Sequence, residues 1–142
     1  MYKIHEYTQG QFQHFKKSAQ LRRESMNNIN HEKILKALFE AWSIESSSKW
    51  TVSNPASGQC GVTAIVIQEI FGGEIVRTKI SDGAWHYYNE IHHRRYDFTE
   101  SQFDVAPQYE DIRSTREEAF SDTNLDQYTY LIKSFKNALG MV

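Results

Sequence analysis

The spacing of apolar positions changes several times along the chain, and each change marks an element. From Asn30, a residue type suited to capping, Ile34, Leu35, Leu38, Ala41 and Trp42 recur at helical intervals, predicting a helix with one apolar stripe. Ser43 to Ser48 ends that helix. The loop from Trp50 to Gly58, with Asn54-Pro55 and Ser57-Gly58 as turn signals, then carries the chain to Gln59 and Cys60. A second helix is expected from Cys60 to Phe71, stopped by a left-handed cap at Gly72-Gly73. Val62, Ala64, Ile65, Val66, Ile67, Ile70 and Phe71 cover more than one of its faces, so it belongs at the centre of the core.

Beyond the two glycines the period falls to that of a strand. Glu74 to Ile80 sets Val76, Thr78 and Ile80 on one face, Ser81-Asp82-Gly83 turns the chain, and Ala84 to Ile91 returns as an aromatic-rich strand. His92-His93-Arg94 connects to a third strand at about Arg95 to Thr99, and the three strands are expected to form an antiparallel sheet. Thr99-Glu100-Ser101-Gln102 has the form of a capping box, whereas Val105 to Arg113 reads as extended or irregular. Leu125, Tyr128, Leu131, Ile132, Phe135, Ala138 and Leu139 describe a last amphipathic helix that Gly140 closes. The fold class is therefore α+β, one domain over residues 30–142 with a central helix on a small sheet between flanking helices. Residues 1–29 read as an N-terminal extension with a weak helix over Gln11 to Glu24, and Met26 is a plausible second start.

Composition narrows the functional classes. The 142 residues, 39% apolar and 13% aromatic, suffice for one core. Sixteen basic and eighteen acidic residues leave a formal net charge of -2, with no electrostatic footprint for nucleic acid. No stretch is apolar for long enough to span a bilayer. A chain with one cysteine forms no internal disulfide, and a cytoplasmic location without a membrane partner is the simplest expectation.

That cysteine is the chief chemical signal. Cys60 stands at the first turn of the central helix, where free amides and the positive end of the dipole are expected to favour a thiolate. His86 and Asp97 follow in the order of base and orienter, giving a candidate catalytic set of Cys60, His86 and Asp97. Gly61 leaves room for a substrate carbonyl beside the Cys60 amide. Gln59 is a candidate second oxyanion donor, with Asn54 and Gln68 as rivals. On the second strand Tyr88 shares a face with His86 and is a candidate substrate contact, while Asn89 lies on the opposite face. Asp97 joins His86 only if the loop between their strands holds an even number of residues. The His92-His93 pair lacks the further ligands of a metal site, so neither a metal nor a cofactor is expected.

The string from Asn54 to Ala64, with Gln68, Gly72-Gly73, His86 to Asn89 and Asp97 to Phe103, resembles the YunG-like family of small bacterial proteins. The order of Cys helix, His strand and Asp strand also resembles the minimal core of the papain-like superfamily. That resemblance implies acyl transfer or hydrolysis at an amide-like bond, with a peptide-like or small-molecule substrate. Two other classes stand beside this enzyme reading. One is a binding module for a peptide or small ligand in the same aromatic cleft with Cys60 unused; the other is a partner protein that docks through the last helix.

Overall fold

The computed structural model describes residues 30–141. The expected N-terminal extension, its weak helix and Met26 lie outside the described residues. Helix α1 runs His31–Ala41 and α2 Cys60–Phe71, followed by strands β1 Glu74–Lys79, β2 Trp85–Ile91 and β3 Arg94–Tyr96. A 3-10 turn, Glu100–Gln102, precedes β4 Ile112–Arg113, α3 Arg116–Phe120 and α4 Leu125–Leu139. The described residues thus form an α+β fold whose antiparallel sheet has four strands in the order β3-β2-β1-β4.

The fourth strand and α3 escape sequence reading because they are too short to show a period. Strand β4 has only two residues and pairs with Val76 and Arg77 of β1. Helix α3 has five, started by the Thr115 hydroxyl, which accepts the Glu118 N–H. The third strand also stops early, at Tyr96, so Asp97 lies just beyond the ladder. Thr99 does not close a capping box: its hydroxyl donates to Asp97 and accepts from Gln102 Nε2.

The sheet has one helical face and one face covered by loop. Helix α2 lies against the face carrying Ile75, Tyr87 and Asn89; Asn89 Nδ2 donates 3.0 Å to the Ala64 carbonyl, and the Tyr87 hydroxyl donates to the Glu118 carbonyl. Tyr96 and Phe98 share that face and stack on His31 of α1. The residues of α2 from Cys60 to Ile67 are buried, which is why its apolar positions follow no single stripe. On the other face Val76, Thr78, His86 and Tyr88 lie under the segment Phe103 to Asp111, which Thr78 anchors by donating to the Gln108 carbonyl.

Two turns settle the register. The β2–β3 loop is His92-His93 alone, both in the left-handed region at φ 50° and 64°, as a tight hairpin turn requires. Its even length sets Asp97 on the same face as His86. At the end of α2, Gly72 adopts φ 79° and ψ -156°, a conformation outside the left-handed helical cap expected there and one that other residues seldom reach. A Cβ on the next glycine, Gly73, would run into the Glu90 carbonyl of β2. The two glycines therefore let the chain pass directly from helix to strand. Helix α4 begins at Asn124, whose side chain accepts the Gln127 N–H, and ends at Gly140 in the left-handed region, burying Leu131 and Phe135.

Candidate active site at the head of the central helix

The expected His86–Asp97 contact is present. His86 Nε2 lies 2.7 Å from Asp97 Oδ2, and both side chains are almost fully buried. Asp97 is held from every side. The Tyr109 hydroxyl donates to the same oxygen at 2.7 Å, while the Thr99 N–H and hydroxyl donate to Oδ1 at 3.2 and 3.3 Å. Donation by the Nε2–H to this carboxylate leaves His86 Nδ1 with a lone pair in the neutral ring, and that nitrogen is buried without a hydrogen-bond partner. Tyr88 stacks on the ring and Phe103 meets it edge-on at 4.8 Å between centroids, so its orientation is fixed by packing as well as by Asp97.

Cys60 has a different neighbour from the one expected. Its thiol donates 3.4 Å to Asp122 Oδ2, an oxygen that also accepts the Gly61 N–H at 3.1 Å. Asp122, on the turn between α3 and α4, thus occupies the free amide at the head of α2. The side chain of Gln59 supplies no cap there. Gly61 is required for this approach, since a Cβ would sit 2.6 Å from the Asp122 carboxylate and 2.9 Å from the Ala119 carbonyl. The expectation of a stabilised thiolate is therefore corrected: burial first, and the Asp122 charge second, push the Cys60 thiol well above its ordinary value. The Tyr87 backbone N–H acts in the opposite direction. Withdrawal of the carboxylate from water raises the Asp122 pKa, against the favourable pull of the Cys60 and Gly61 hydrogen bonds and of the Lys49 charge.

The remaining candidates are engaged elsewhere. Gln59 is fully buried with Nε2 turned to the Ser43 carbonyl at 3.5 Å, and its Oε1 has no partner. Asn54 Nδ2 reaches the Gln102 carbonyl at 3.4 Å, and Gln68 Nε2 the Gly73 carbonyl at the far end of α2. The Tyr88 hydroxyl donates to Asp111 Oδ1 and accepts the Asp111 N–H. Arg95 clamps the same Asp111 at 2.8 and 2.7 Å, holding its carboxyl below the usual carboxylate range. Burial and the bond to Asp111 raise Tyr88, and burial with the bond to Asp97 raises Tyr109. Of the five oxyanion or substrate candidates Gly61 alone has a donor beside the thiol, its N–H on the same Asp122 oxygen.

Sequence reasoning missed Asp122, Tyr109 and the role of Thr99. Asp122 lies in Ser121-Asp122-Thr123-Asn124, which reads as an ordinary lead into a helix, and 62 positions separate it from Cys60. No local signal joins the two. Among the described residues no cluster of His, Cys, Asp or Glu has the makings of a metal site, and no helix is long and apolar enough to cross a membrane.

These elements define a small α+β protein with a single thiol at a helix head and a buried His–Asp pair on the neighbouring strand and hairpin. The chain belongs to the family described as YunG protein, which matches residues 30–140. It is 50% identical over 105 residues to the uncharacterized protein YunG of Bacillus subtilis (strain 168), covering 74% of this chain and 90% of that relative. No solved structure matches the chain.

Proposed function

We propose that this domain is a thiol-dependent hydrolase or acyltransferase of papain-like type acting on an amide-like bond, with Cys60 as nucleophile, His86 as proton carrier and Asp97 as orienter. The supporting observation is the state of the His86 ring: its Nε2 is committed to Asp97 while Nδ1 is buried and unpartnered. An orphaned buried acceptor costs about 1–3 kcal/mol, a cost that a base waiting for a proton explains. In the reaction Nδ1 takes the Cys60 proton, and Sγ attacks the substrate carbonyl carbon. The carbonyl oxygen becomes an oxyanion at the head of α2, held by the Cys60 amide expected from the sequence together with the adjacent Gly61 amide, and the proton passes to the leaving amine as the C–N bond breaks. Water, or an acceptor amine, then attacks the thioester, gives its proton to His86 and restores the thiol. The step needs no cofactor. A cleft of about 680 Å3 between Lys79 to Asp82 and Phe103 to Gln108 adjoins the His86 side of the site through Phe103, although Cys60 does not line it. A cytoplasmic location, where thiols stay reduced, suits this chemistry.

A simple activated ester tests the reading. With 4-nitrophenyl acetate, intact-mass and peptide analysis should find a transient acetyl group on Cys60 in the full chain and none in Cys60→Ser. Absence of acetyl-Cys60 in the parent would overturn the proposal. A second reading, a non-catalytic binding module, has its own supporting observation: Cys60 donates to Asp122 and is held as a neutral thiol. It expects no acylation, with ligand binding retained in Cys60→Ser.

A further inference from the structure

Asp122 sits where the proposed chemistry needs an empty seat. Its Oδ2 accepts from both the Cys60 thiol and the Gly61 amide, a donor that a substrate oxyanion at the head of α2 would share with the Cys60 amide. A carboxylate oxygen and an oxyanion compete for the same donor at the same place. We propose that Asp122 is a built-in stopper, a carboxylate that fills the oxyanion seat and holds Cys60 protonated until an incoming substrate carbonyl displaces it. The inference rests on the thiol-enzyme reading above and adds to it an internal competitor for the substrate.

Three features of the surroundings fit a side chain that can leave. Asp122 is an exposed residue whose carboxylate turns inward to part-buried bonds, whereas Cys60 is buried, so the side chain stands between the thiol and solvent. Beside it lies a cavity of about 70 Å3 lined by Ser47, Ser48, Lys49, Gly58 and Gln127, which gives the carboxylate a place to retreat. The Lys49 charge already acts on Asp122 and offers a partner there, in exchange for the Cys60 and Gly61 donors. The other titratable groups facing this cluster are His86, which favours the Asp122 charge only once it has taken up a proton, and Asp97, which disfavours a Cys60 thiolate. The backbone on which Asp122 rides is short and anchored at both ends, since the Asp122 N–H bonds to the Ala119 carbonyl and Asn124 caps α4. A rotation of the side chain therefore suffices to open the seat without unfolding the turn.

Alkylation of Cys60 by iodoacetamide reads the stopper directly, because only an unmasked, ionised thiol reacts. In the full chain at neutral pH, Asp122→Ala should react roughly tenfold faster or more, with the pH midpoint of reaction lowered. Asp122→Asn keeps an oxygen for the Gly61 amide but removes the charge, and should show a smaller acceleration in the same direction. If both variants keep the parent's circular dichroism and thermal midpoint yet alkylate at or below the parent rate, the stopper is overturned. Should Asp122→Ala unfold the turn, the near-isosteric Asn variant decides. His86→Ala, alone and combined with Asp122→Ala, separates the two proposals. Slowing by His86→Ala in the parent, with no effect of Asp122 substitution, removes the stopper and leaves the enzyme reading; acceleration by Asp122→Ala that ignores His86 retains the stopper and removes the base.

Discussion

The two carboxylates of the site are held in opposite ways. Asp97 is buried and accepts four hydrogen bonds from His86, Tyr109 and Thr99, two of them at 2.7 Å, whereas Asp122, an exposed residue, accepts two, from a weakly donating thiol at 3.4 Å and a backbone N–H at 3.1 Å. Saturation of this kind makes Asp97 a fixed part of the frame, expensive to move because each of its donors would lose a charged acceptor. Asp122 has solvent, a neighbouring cavity and Lys49 to turn to. One half of the site is therefore preorganised, and the other is arranged to change state.

The largest effect that would break this contrast concerns the base. In the acetylation assay His86→Ala should slow Cys60 acylation by about 10²- to 10⁴-fold, the usual range for losing a positioned proton carrier; a rate within a few-fold of the parent would remove His86 from the chemistry. Asp97→Ala tests the fixed half. It strips a charged acceptor from buried donors and should cost about 2–3 kcal/mol, read as a lowered urea midpoint. If Asp122→Ala costs as much as Asp97→Ala, the distinction between the halves fails.

Gly61→Ala probes how closely the Asp122 turn approaches α2. Its Cβ would meet the Ala119 carbonyl as well as the carboxylate, so destabilisation by about 1–3 kcal/mol is expected even with Asp122 truncated. The loop that covers His86 has an acid dependence of its own. Arg95 lowers the Asp111 pKa in the folded state, so this contribution to stability is present above the ordinary carboxylate value and is lost as pH falls through the lowered one. Asp111→Asn should flatten that acid limb in a plot of thermal midpoint against pH, and an unchanged limb would assign it to other carboxylates. The smallest effect lies in the β2–β3 turn, where two histidines hold positive φ. Replacing His92-His93 with Asn-Gly should stabilise by about 0.5–1 kcal/mol, and a loss of stability would argue that the imidazoles have another task there.

Much of this molecule was legible one segment at a time. Helix α2 has the bounds that its apolar block and flanking glycines predict, and α4 is readable from its stripe and from Gly140. The pairing of His86 with Asp97 required one further piece of reasoning, strand parity, and the two-residue loop supplied the even count. Strand β4 and α3 were not legible, because two and five residues are too few to display a period.

The sequence by itself determined the α+β pattern, the cysteine at a helix head and the face on which His86 lies, because helix and strand periods are local properties of the backbone. It also carried the family membership, since the matching residues run from 30 to 140. The thiol's environment was decided by the tertiary structure alone. A helix N-terminus attracts any anion, and the chain supplied its own, Asp122, from 62 residues away. Whether the head of α2 favours a thiolate or a neutral thiol thus depends on a long-range contact, which no local spacing encodes.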